Sequence, residues 1–251
     1  MYRIGVVALF PELVAPVASV GVVGRARERG LVELVHASPR DFTSDRHRTV
    51  DDRPYGGGPG MVLRYEPMRD AIRSLQARLP AGSRVIVLSA QGRRFDQALA
   101  RELAALPGLL LVAGRYEGID QRIVTGVTAE EVALGDYVMS GGELAAAVMI
   151  DTIVRLLPGT LGHAASTVED SYTDGLLDCP QYTRPEQVDG MAVPAVLLGG
   201  DHDAVRRWRL KQALGRTWMR RRDLLAARKF TTEERELLEE FRTEMAATSG
   251  E

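Results

Sequence analysis

The sequence has little cysteine and no long hydrophobic run, and each shortage excludes a class of protein. The single cysteine, Cys179, rules out an internal disulfide and fits a reducing compartment. No uninterrupted apolar stretch reaches the roughly 18 residues of a membrane span, so we expect no membrane association and a cytoplasmic protein. The apolar residues 1–16 lack the flanks of a signal peptide, and we interpret them as a buried first strand.

A large net charge is also absent, since the 251 residues carry a formal charge of -2. The charges are nevertheless unevenly distributed along the chain. Residues 206–229 contain ten Lys or Arg against one acid, whereas residues 231–251 contain seven Glu against two Arg. A basic block on helix-forming sequence is typical of a surface that binds a polyanion. Pairing of this block with the acidic segment behind it explains the pattern equally well.

The first part of the chain alternates short apolar runs with amphipathic segments, which predicts an α/β domain with a mostly parallel sheet. Pro158 and Gly159 end the last helix of this part, and a polar stretch without periodicity follows. We therefore predict an α/β domain over residues 1–159, a flexible linker over 160–175 and a small helical domain over 176–251. The predicted strands are Arg3–Leu9, Leu31–His36, Arg84–Leu88, Leu109–Ala113 and Glu131–Leu134. The predicted helices are Glu66–Leu79, Asp96–Ala104, a helix that begins between Gly141 and Glu143 and runs to Leu156, Asp203–Ala227 and a capped helix from Thr231 or Thr232.

Three glycine-containing loops follow predicted strands, at Ser89–Arg94, Ala113–Asp120 and Leu134–Glu143. The carboxyl ends of parallel strands are where ligands bind in α/β proteins. None of the loops matches a dinucleotide or P-loop fingerprint. Glu143, in capping-box spacing with Ser140, would repel a pyrophosphate at a helix start and would tolerate a neutral or cationic ligand such as S-adenosylmethionine. Tight turns without any ligand remain an alternative.

Seven longer motifs occur in a fixed order over nearly the whole chain. On these motifs the chain resembles the bacterial tRNA (guanine-N1)-methyltransferases of the TrmD type, in the SPOUT superfamily. The motifs are DDRPYGGGPGMVL (Asp51–Leu63), LSAQGRRF (Leu88–Phe95), GRYEGIDQR (Gly114–Arg122), LGDYVMSGGELAA (Leu134–Ala146), RLLPG (Arg155–Gly159), EDSYTDGLLDCPQYTRP (Glu169–Pro185) and VPAVLLGGDHDAVRRWR (Val193–Arg209).

The resemblance implies a SPOUT α/β fold with a C-terminal trefoil knot, a feature that chain pattern alone would never predict. It also implies a homodimer whose tRNA site uses both subunits, and S-adenosylmethionine bound in the knot. Carried over by motif, the donor-binding residues are Leu88, Ser89, Gln91, Gly92, Gly114, Tyr116, Glu117, Leu134, Gly135, Asp136, Tyr137, Val138, Met139, Gly141 and Gly142.

The implied reaction methylates N1 of guanosine 37 in tRNA, which requires removal of a proton and stabilisation of negative charge at O6. The resemblance assigns Asp170 as the general base and Arg155 as the cation. Taken without it, Asp170 is one of several acids in a polar linker and Arg155 favours a helix dipole. The implied substrate-binding residues are Asp178, Arg53, Tyr55, Arg206, Arg207, Arg209 and Lys211, with Arg216 beside them.

No metal site is assigned, because the four histidines lack metal-ligand spacing. The resemblance nevertheless implies that methyl transfer needs Mg²⁺, for which the sequence shows no dedicated group of carboxylates. Two other functions stay open: a SPOUT methyltransferase for another RNA target, and a non-catalytic RNA-binding module. The acidic segment between RLLPG and YTRP argues against the first, and the intact LSAQG and GRYEG motifs argue against the second.

Overall fold

The computed structural model describes residues 1–127, 129–162 and 170–248. The chain divides into two compact units, Met1–Ala164 and Ala165–Glu251. The predicted linker falls partly on residues 163–169, which lie outside the described residues, so its flexibility and its boundaries stay a prediction.

A five-stranded sheet organises the first unit, and every pairing between its neighbouring strands is parallel. This confirms the predicted α/β class. The sheet has the order β2-β1-β6-β5-β7, and a two-residue antiparallel ladder, β3 with β4, stands apart from it. The strands are β1 (Tyr2–Val7), β2 (Val32–Ala37), β3 (Asp51–Asp52), β4 (Val62–Leu63), β5 (Arg84–Arg94), β6 (Gly108–Ala113) and β7 (Glu130–Ala133).

The central strand β6 is buried along its whole length, because helices cover both faces of the sheet. Its side chains alternate between two apolar clusters, as the two-residue period of a strand requires. Leu109 and Leu111 pack in the cluster that includes helices α2, α4 and α6, whereas Leu110 and Val112 pack with α3 and α5. The helices of this unit are α1 (Ala15–Ser19), α2 (Gly21–Glu28), α3 (Tyr65–Gln76), α4 (Gln97–Ala104), α5 (Gln121–Gly126) and α6 (Glu143–Val154), with short 3-10 turns at Pro11–Leu13 and Pro39–Phe42.

Strand β5 is longer than the predicted Arg84–Leu88, because it pairs with β7 twice. Val132 is the partner of both Leu88 and Arg93, so the four residues between them leave the ladder. Gly92 then lies against the backbone of β7, where a Cβ would overlap Glu131 and Val132. A glycine is required here by close approach of two backbones, not by an unusual φ.

The second unit is helical and contains one small hairpin. Its helices pack around a core of Leu176, Leu214, Leu225 and Leu237. The predicted helix Asp203–Ala227 is interrupted at Arg221, whose φ of -143° and ψ of 61° are not helical. The elements are β8 (Gln187–Val188), β9 (Met191–Ala192), a 3-10 turn at Ala195–Leu197, α7 (His202–Arg220), α8 (Arg222–Ala226) and α9 (Thr232–Thr248).

A reciprocal cap starts α9, as its sequence predicts. The Thr231 hydroxyl accepts a hydrogen bond from the Glu234 amide at 3.1 Å, and the Glu234 carboxylate accepts one from the Thr231 amide at 2.9 Å. Two amides that lack partners inside the helix are thereby satisfied. Within the three described ranges, no helix combines the length and the apolar character needed to cross a bilayer.

Candidate active site

A cavity of about 310 Å³ lies where the three glycine loops meet at the carboxyl ends of β5, β6 and β7. This is the edge of a parallel sheet at which ligands are expected. The cavity brings together the predicted donor-binding residues except Gly92, which belongs to β5 and packs against the backbone of β7, and Asp136, which is exposed. Its lining is formed by residues 87–91, 114–119, 131–135 and 137–142, with Gln121, Val124 and Ala145.

The second loop is held in a strained turn. Tyr116 has a φ of 60°, a left-handed conformation that costs a side-chain-bearing residue about 1 kcal/mol. Backbone hydrogen bonds to the β3–β4 hairpin compensate: the Glu117 amide donates to the Met61 carbonyl at 3.0 Å, and the Leu63 amide donates to the Gly118 carbonyl at 2.9 Å. The DDRPYGGGPGMVL motif therefore supports one wall of the cavity.

The third loop joins the second through backbone contacts that exclude side chains. The Gly142 amide donates to the Gly114 carbonyl at 2.8 Å. A Cβ on Gly142 would lie 2.9 Å from the Cα of Ala113, so a larger residue would push the two loops apart. The cavity is thus shaped by backbone, which can approach a ligand closely.

Glu143 is fully buried beneath these loops, and its role differs from the predicted one. Arg115 Nε donates to Glu143 Oε1 at 2.9 Å, and the Phe10 amide donates to the same oxygen at 3.4 Å. The Arg115 guanidinium also lies over the Phe10 ring, 4.6 Å from its centroid. Helix α6 has no side-chain cap, so the predicted capping box between Ser140 and Glu143 is wrong. The carboxylate turns inward because a buried cation is available there.

This ion pair changes the net charge of the residues that line the cavity. The charged residues among its described lining are Arg115, Glu117 and Glu131. Because Glu143 neutralises Arg115, the two remaining carboxylates give the cavity a negative character. It therefore disfavours polyphosphates and favours a cationic ligand. The reason differs from the sequence interpretation, in which Glu143 at the helix start repels a pyrophosphate.

Arg155 and Asp170, the predicted catalytic pair, belong to different units. Arg155 is the C-cap residue of α6 and is partly buried. Asp170 begins a turn in which its carbonyl accepts a hydrogen bond from the Thr173 amide at 3.1 Å. The same turn is closed by a bond of 2.7 Å from the Tyr172 amide to the Leu176 carbonyl.

Asp178 lies in the segment after this turn and is fixed by three hydrogen bonds. Its amide donates to the Ser171 hydroxyl at 2.9 Å, and its carboxylate accepts from the Cys179 amide at 2.7 Å and from Gln181 at 2.9 Å. Burial, together with the nearby Asp178 charge, raises the pKa of the Cys179 thiol. Cys179 is therefore a poor nucleophile. Within the described ranges, His, Cys, Asp and Glu side chains form no group of three that could hold a metal.

The GGGPG loop presents its predicted substrate contacts to solvent. Arg53 is exposed, and Tyr55 is exposed over its whole side chain. Positive φ values at Gly56, Gly57 and Gly58 give the loop a path that only glycine adopts readily. A large ligand could therefore reach both side chains without rearrangement of the sheet.

The basic face of α7 is largely paired with α9. Arg206 lies 2.8 Å from Glu233, Arg207 lies 3.2 Å from Glu233, and Lys211 lies 2.6 Å from Glu244. Pairing with the acidic segment, one of the two interpretations of the charge pattern, is therefore present in the structure. Arg209 is exposed and makes no ion pair with any residue that the structure describes.

A family comparison identifies the kind of protein that has this arrangement. The sequence profile of the family described as tRNA (Guanine-1)-methyltransferase TrmD matches residues 2–227. The chain belongs to the TrmD family. It is thus a methyltransferase with a SPOUT-type α/β domain, and the resemblance inferred from the motifs is confirmed.

Two TrmD-family relatives match over almost their entire length. The tRNA (guanine-N(1)-)-methyltransferase of Methylococcus capsulatus (strain Bath) is 59% identical over 242 residues, which cover 96% of each chain. The enzyme of the same name from Salmonella schwarzengrund is 57% identical over 243 residues, or 97% of this chain and 95% of the relative.

Sequence reasoning missed two charged residues that line the cavity, Arg115 and Glu131. Arg115 belongs to the GRYEG motif but was not among the predicted site residues, and it lines the cavity while binding Glu143. A basic residue inside a ligand loop was a visible signal. The partner that decides its effect is 28 residues away and was not visible from spacing.

Proposed function

We propose that this TrmD-family enzyme transfers the methyl group of S-adenosylmethionine to N1 of guanosine 37, the residue 3′ of the tRNA anticodon. The observation that carries the proposal is the cavity at the ends of β5, β6 and β7, with a backbone-rich wall and a negative lining. The names of the relatives supply the class of acceptor, a guanine N1 atom of tRNA. The substrate also implies an enzyme of the cytoplasm.

The residues of the cavity fit the proposed donor. Its volume of about 310 Å³ lies at the lower end of small-molecule sites, roughly 300–1,000 Å³. When bound, S-adenosylmethionine supplies an electrophilic methyl group on a positive sulfur. Glu117 and Glu131 offset that positive charge, and the glycine backbones of the three loops accept the close approach of the adenosine. We also propose that this region forms the trefoil knot of the SPOUT fold.

In the proposed reaction, the Asp170 carboxylate accepts the N1 proton of the guanine. The Arg155 guanidinium donates hydrogen bonds to O6, where the electron pair left by the proton is delocalised. The N1 atom thereby becomes the nucleophile: the new carbon–nitrogen bond would form as the methyl–sulfur bond of the donor breaks, and the sulfur would keep that electron pair and leave as a neutral thioether. A positioned general base of this kind contributes roughly a hundred- to ten-thousand-fold to the rate. Magnesium is proposed as an additional requirement, without an assigned site.

We propose substrate-binding residues in each of the two units. We propose that Asp178 holds the target guanine and that Arg53 and Tyr55 contact the anticodon loop. In the second unit, we propose that Arg209 contacts phosphate, because it is exposed and makes no ion pair with a described residue. The proposed contributions of Arg206, Arg207 and Lys211 are smaller, because α9 already neutralises these residues.

We further propose that the active form is a homodimer. Helix α6 is mostly buried, yet it exposes Leu144 and Val148, one turn apart, at 55% and 48%. An exposed apolar stripe on an otherwise buried helix is typical of a subunit interface. Sedimentation of the wild type and of Val148→Lys tests this, with a shift to monomer expected in the variant. A wild-type monomer at micromolar concentration would contradict the proposal.

The proposed reaction is tested with labelled S-adenosylmethionine and two tRNA transcripts that differ only in having guanosine or adenosine at position 37. We expect label on the guanosine transcript alone, recovered as 1-methylguanosine. Label on both transcripts would redirect the proposal to another RNA position. Donor binding without transfer to either transcript would favour the non-catalytic alternative.

The role of Asp170 is tested in the same assay with Asp170→Asn. We expect the single-turnover rate to fall by roughly a hundred- to ten-thousand-fold while donor and tRNA still bind. Asp174→Asn is the matched control, because Asp174 is an exposed acid in the same turn and has no proposed catalytic role. Equal rates in the two variants would contradict the assignment of the base.

A further inference from the structure

A second concave site lies entirely within the second unit. It is a cleft of about 590 Å³, formed by the segment 180–186, the segment 193–198 and the first half of α7. Its volume falls inside the range of small-molecule sites, roughly 300–1,000 Å³. None of its described lining residues belongs to the methyl-donor cavity, and of them the proposed function uses Arg209, as a phosphate contact.

Two aromatic rings form a wedge in this cleft. The centroids of Tyr182 and Trp208 lie 6.3 Å apart, and their planes are inclined by 54°. Tyr182 is 49% exposed, so one face of the pair is open to solvent. Rings that serve only as core would be covered, whereas an open ring face offers a stacking surface for another flat group.

Positive charge is available at the same place. Arg184 and Arg209 line the cleft and are exposed, and neither forms an ion pair with a described residue. Glu186 is the acid of the lining, which leaves a net positive charge. This differs from Arg206 and Arg207 of the same helix, which an α9 carboxylate neutralises.

We propose that this cleft binds an unpaired nucleotide of the tRNA, with its base stacked on the Tyr182–Trp208 wedge and its phosphates held by Arg184 and Arg209. Aromatic faces beside arginines are the combination that recognises single-stranded nucleic acid, because every base offers a flat face and every linkage a charge. The identity of the RNA as tRNA rests on the proposed function. The presence of a nucleotide site in the second unit does not.

Affinity for a tRNA transcript at fixed salt tests the cleft, with three variants and two matched controls. Tyr182→Leu and Arg209→Gln remove the ring and the charge, and Trp208→Leu removes the second ring. We expect the ring variants to bind roughly 5- to 100-fold more weakly, the usual effect of losing one base–aromatic stack. Tyr182→Phe keeps the ring and should bind like the wild type. Arg206→Gln removes an arginine of α7 that is already paired, and its effect should be clearly smaller than that of Arg209→Gln.

A second arm separates this proposal from the proposed function. Methyl transfer by Tyr182→Leu and Trp208→Leu is measured at saturating tRNA, where both should keep the wild-type single-turnover rate, because neither ring belongs to the proposed catalytic or donor-binding residues. Binding of a ten-residue polyuridine and of an RNA duplex is measured in parallel. If the wild type binds the single strand more tightly than the duplex and Tyr182→Leu loses this preference, the result supports a nucleotide site in the cleft. This holds even if no tRNA is methylated.

The remaining outcomes overturn the proposal. Wild-type affinity in Tyr182→Leu and Arg209→Gln would show that the cleft does not touch RNA. Equal losses in Arg209→Gln and Arg206→Gln would show general charge attraction instead of a site. A loss in Tyr182→Phe as large as that in Tyr182→Leu would exclude stacking. Thermal unfolding of each variant identifies any loss that comes from misfolding, and the half-exposed Tyr182 gives the cleaner reading if Trp208→Leu is unstable.

Discussion

The two units build their concave sites in opposite ways. The cavity of the first unit is shaped by the backbones of three glycine loops, with close contacts such as that between Gly142 and Ala113. The cleft of the second unit is shaped by side chains, chiefly Tyr182, Trp208 and Arg209. A backbone-built site is damaged by adding an atom, whereas a side-chain-built site is damaged by removing one.

Their buried carboxylates show the same contrast. Glu143 of the first unit binds Arg115 and caps nothing, while Glu234 of the second unit binds Arg228 at 2.6 Å and also caps α9. The first carboxylate is held by a partner distant in sequence and the second mainly by neighbours. The following predictions test this difference, beginning with the largest expected effect.

Removing the charge of Glu143 should be the most damaging. Glu143→Gln leaves Arg115 without a counter-ion under the cavity, and breaking a buried pair in this way costs about 3–5 kcal/mol. Urea unfolding measures the free energy of unfolding. Glu33→Gln is the control, because the Arg3–Glu33 pair is about one-third exposed and such pairs contribute at most about 1 kcal/mol. Equal costs would mean that burial of the Glu143 pair has no energetic consequence.

Adding one methyl group to Gly92 should be nearly as harmful. A Cβ there would overlap the backbone of Glu131 and Val132, and we expect Gly92→Ala to lose about 3 kcal/mol of stability, the upper end for overpacking. Gly126→Ala is the matched control, since a Cβ at Gly126 meets nothing within 4 Å. Thermal unfolding compares the two variants. A Gly92→Ala protein as stable as Gly126→Ala would show that β7 can move aside.

The environment of Glu234 predicts that the stability of the second unit depends on pH. Burial acts to raise its pKa, but hydrogen bonds from Arg228 and from the Thr231 amide outweigh burial, so the pKa of Glu234 is lowered. The stability that it contributes is therefore present above its unfolded pKa of about 4.3 and is lost as the pH falls through the lower folded value.

The variant Glu234→Gln keeps the cap and cannot titrate. We expect it to cost about 1–2 kcal/mol at neutral pH, because the charged bond to Arg228 is lost, and to cost less in acid. Urea midpoints from pH 7 to pH 3 test this. A constant difference between the two proteins over that range would show that the ionised form of Glu234 is not what stabilises the unit.

The smallest effect is expected at Glu233. Its bonds to Arg206 and Arg207 lie at the surface, where pairing gains little over solvation. Glu233→Gln should leave the unfolding midpoint unchanged within error. A clear loss of stability would show that α9 depends on α7 for more than the packing of Leu214 and Leu237, both in the core of the second unit.

Two capping boxes with the same spacing show how far the sequence can be interpreted. Thr231 and Glu234 form the predicted reciprocal bonds, whereas Ser140 and Glu143 do not. The difference is Arg115, which reaches Glu143 from another loop and offers a buried cation. Local spacing predicts which bonds are possible, and distant partners select among them.

The sequence by itself determined the five strands of the parallel sheet, the longer helices α3, α4, α6, α7 and α9, the three glycine loops and the TrmD family, because periodicity and long motifs are local properties of the chain. It did not predict the short helices α1, α2 and α5. Tertiary structure alone decided that Glu143 binds Arg115, that Gly92 packs against the backbone of β7 and that the basic face of α7 pairs with α9. Each of these depends on which groups meet in space. Burial and charge then fix their energies, and neither is set until the chain has folded.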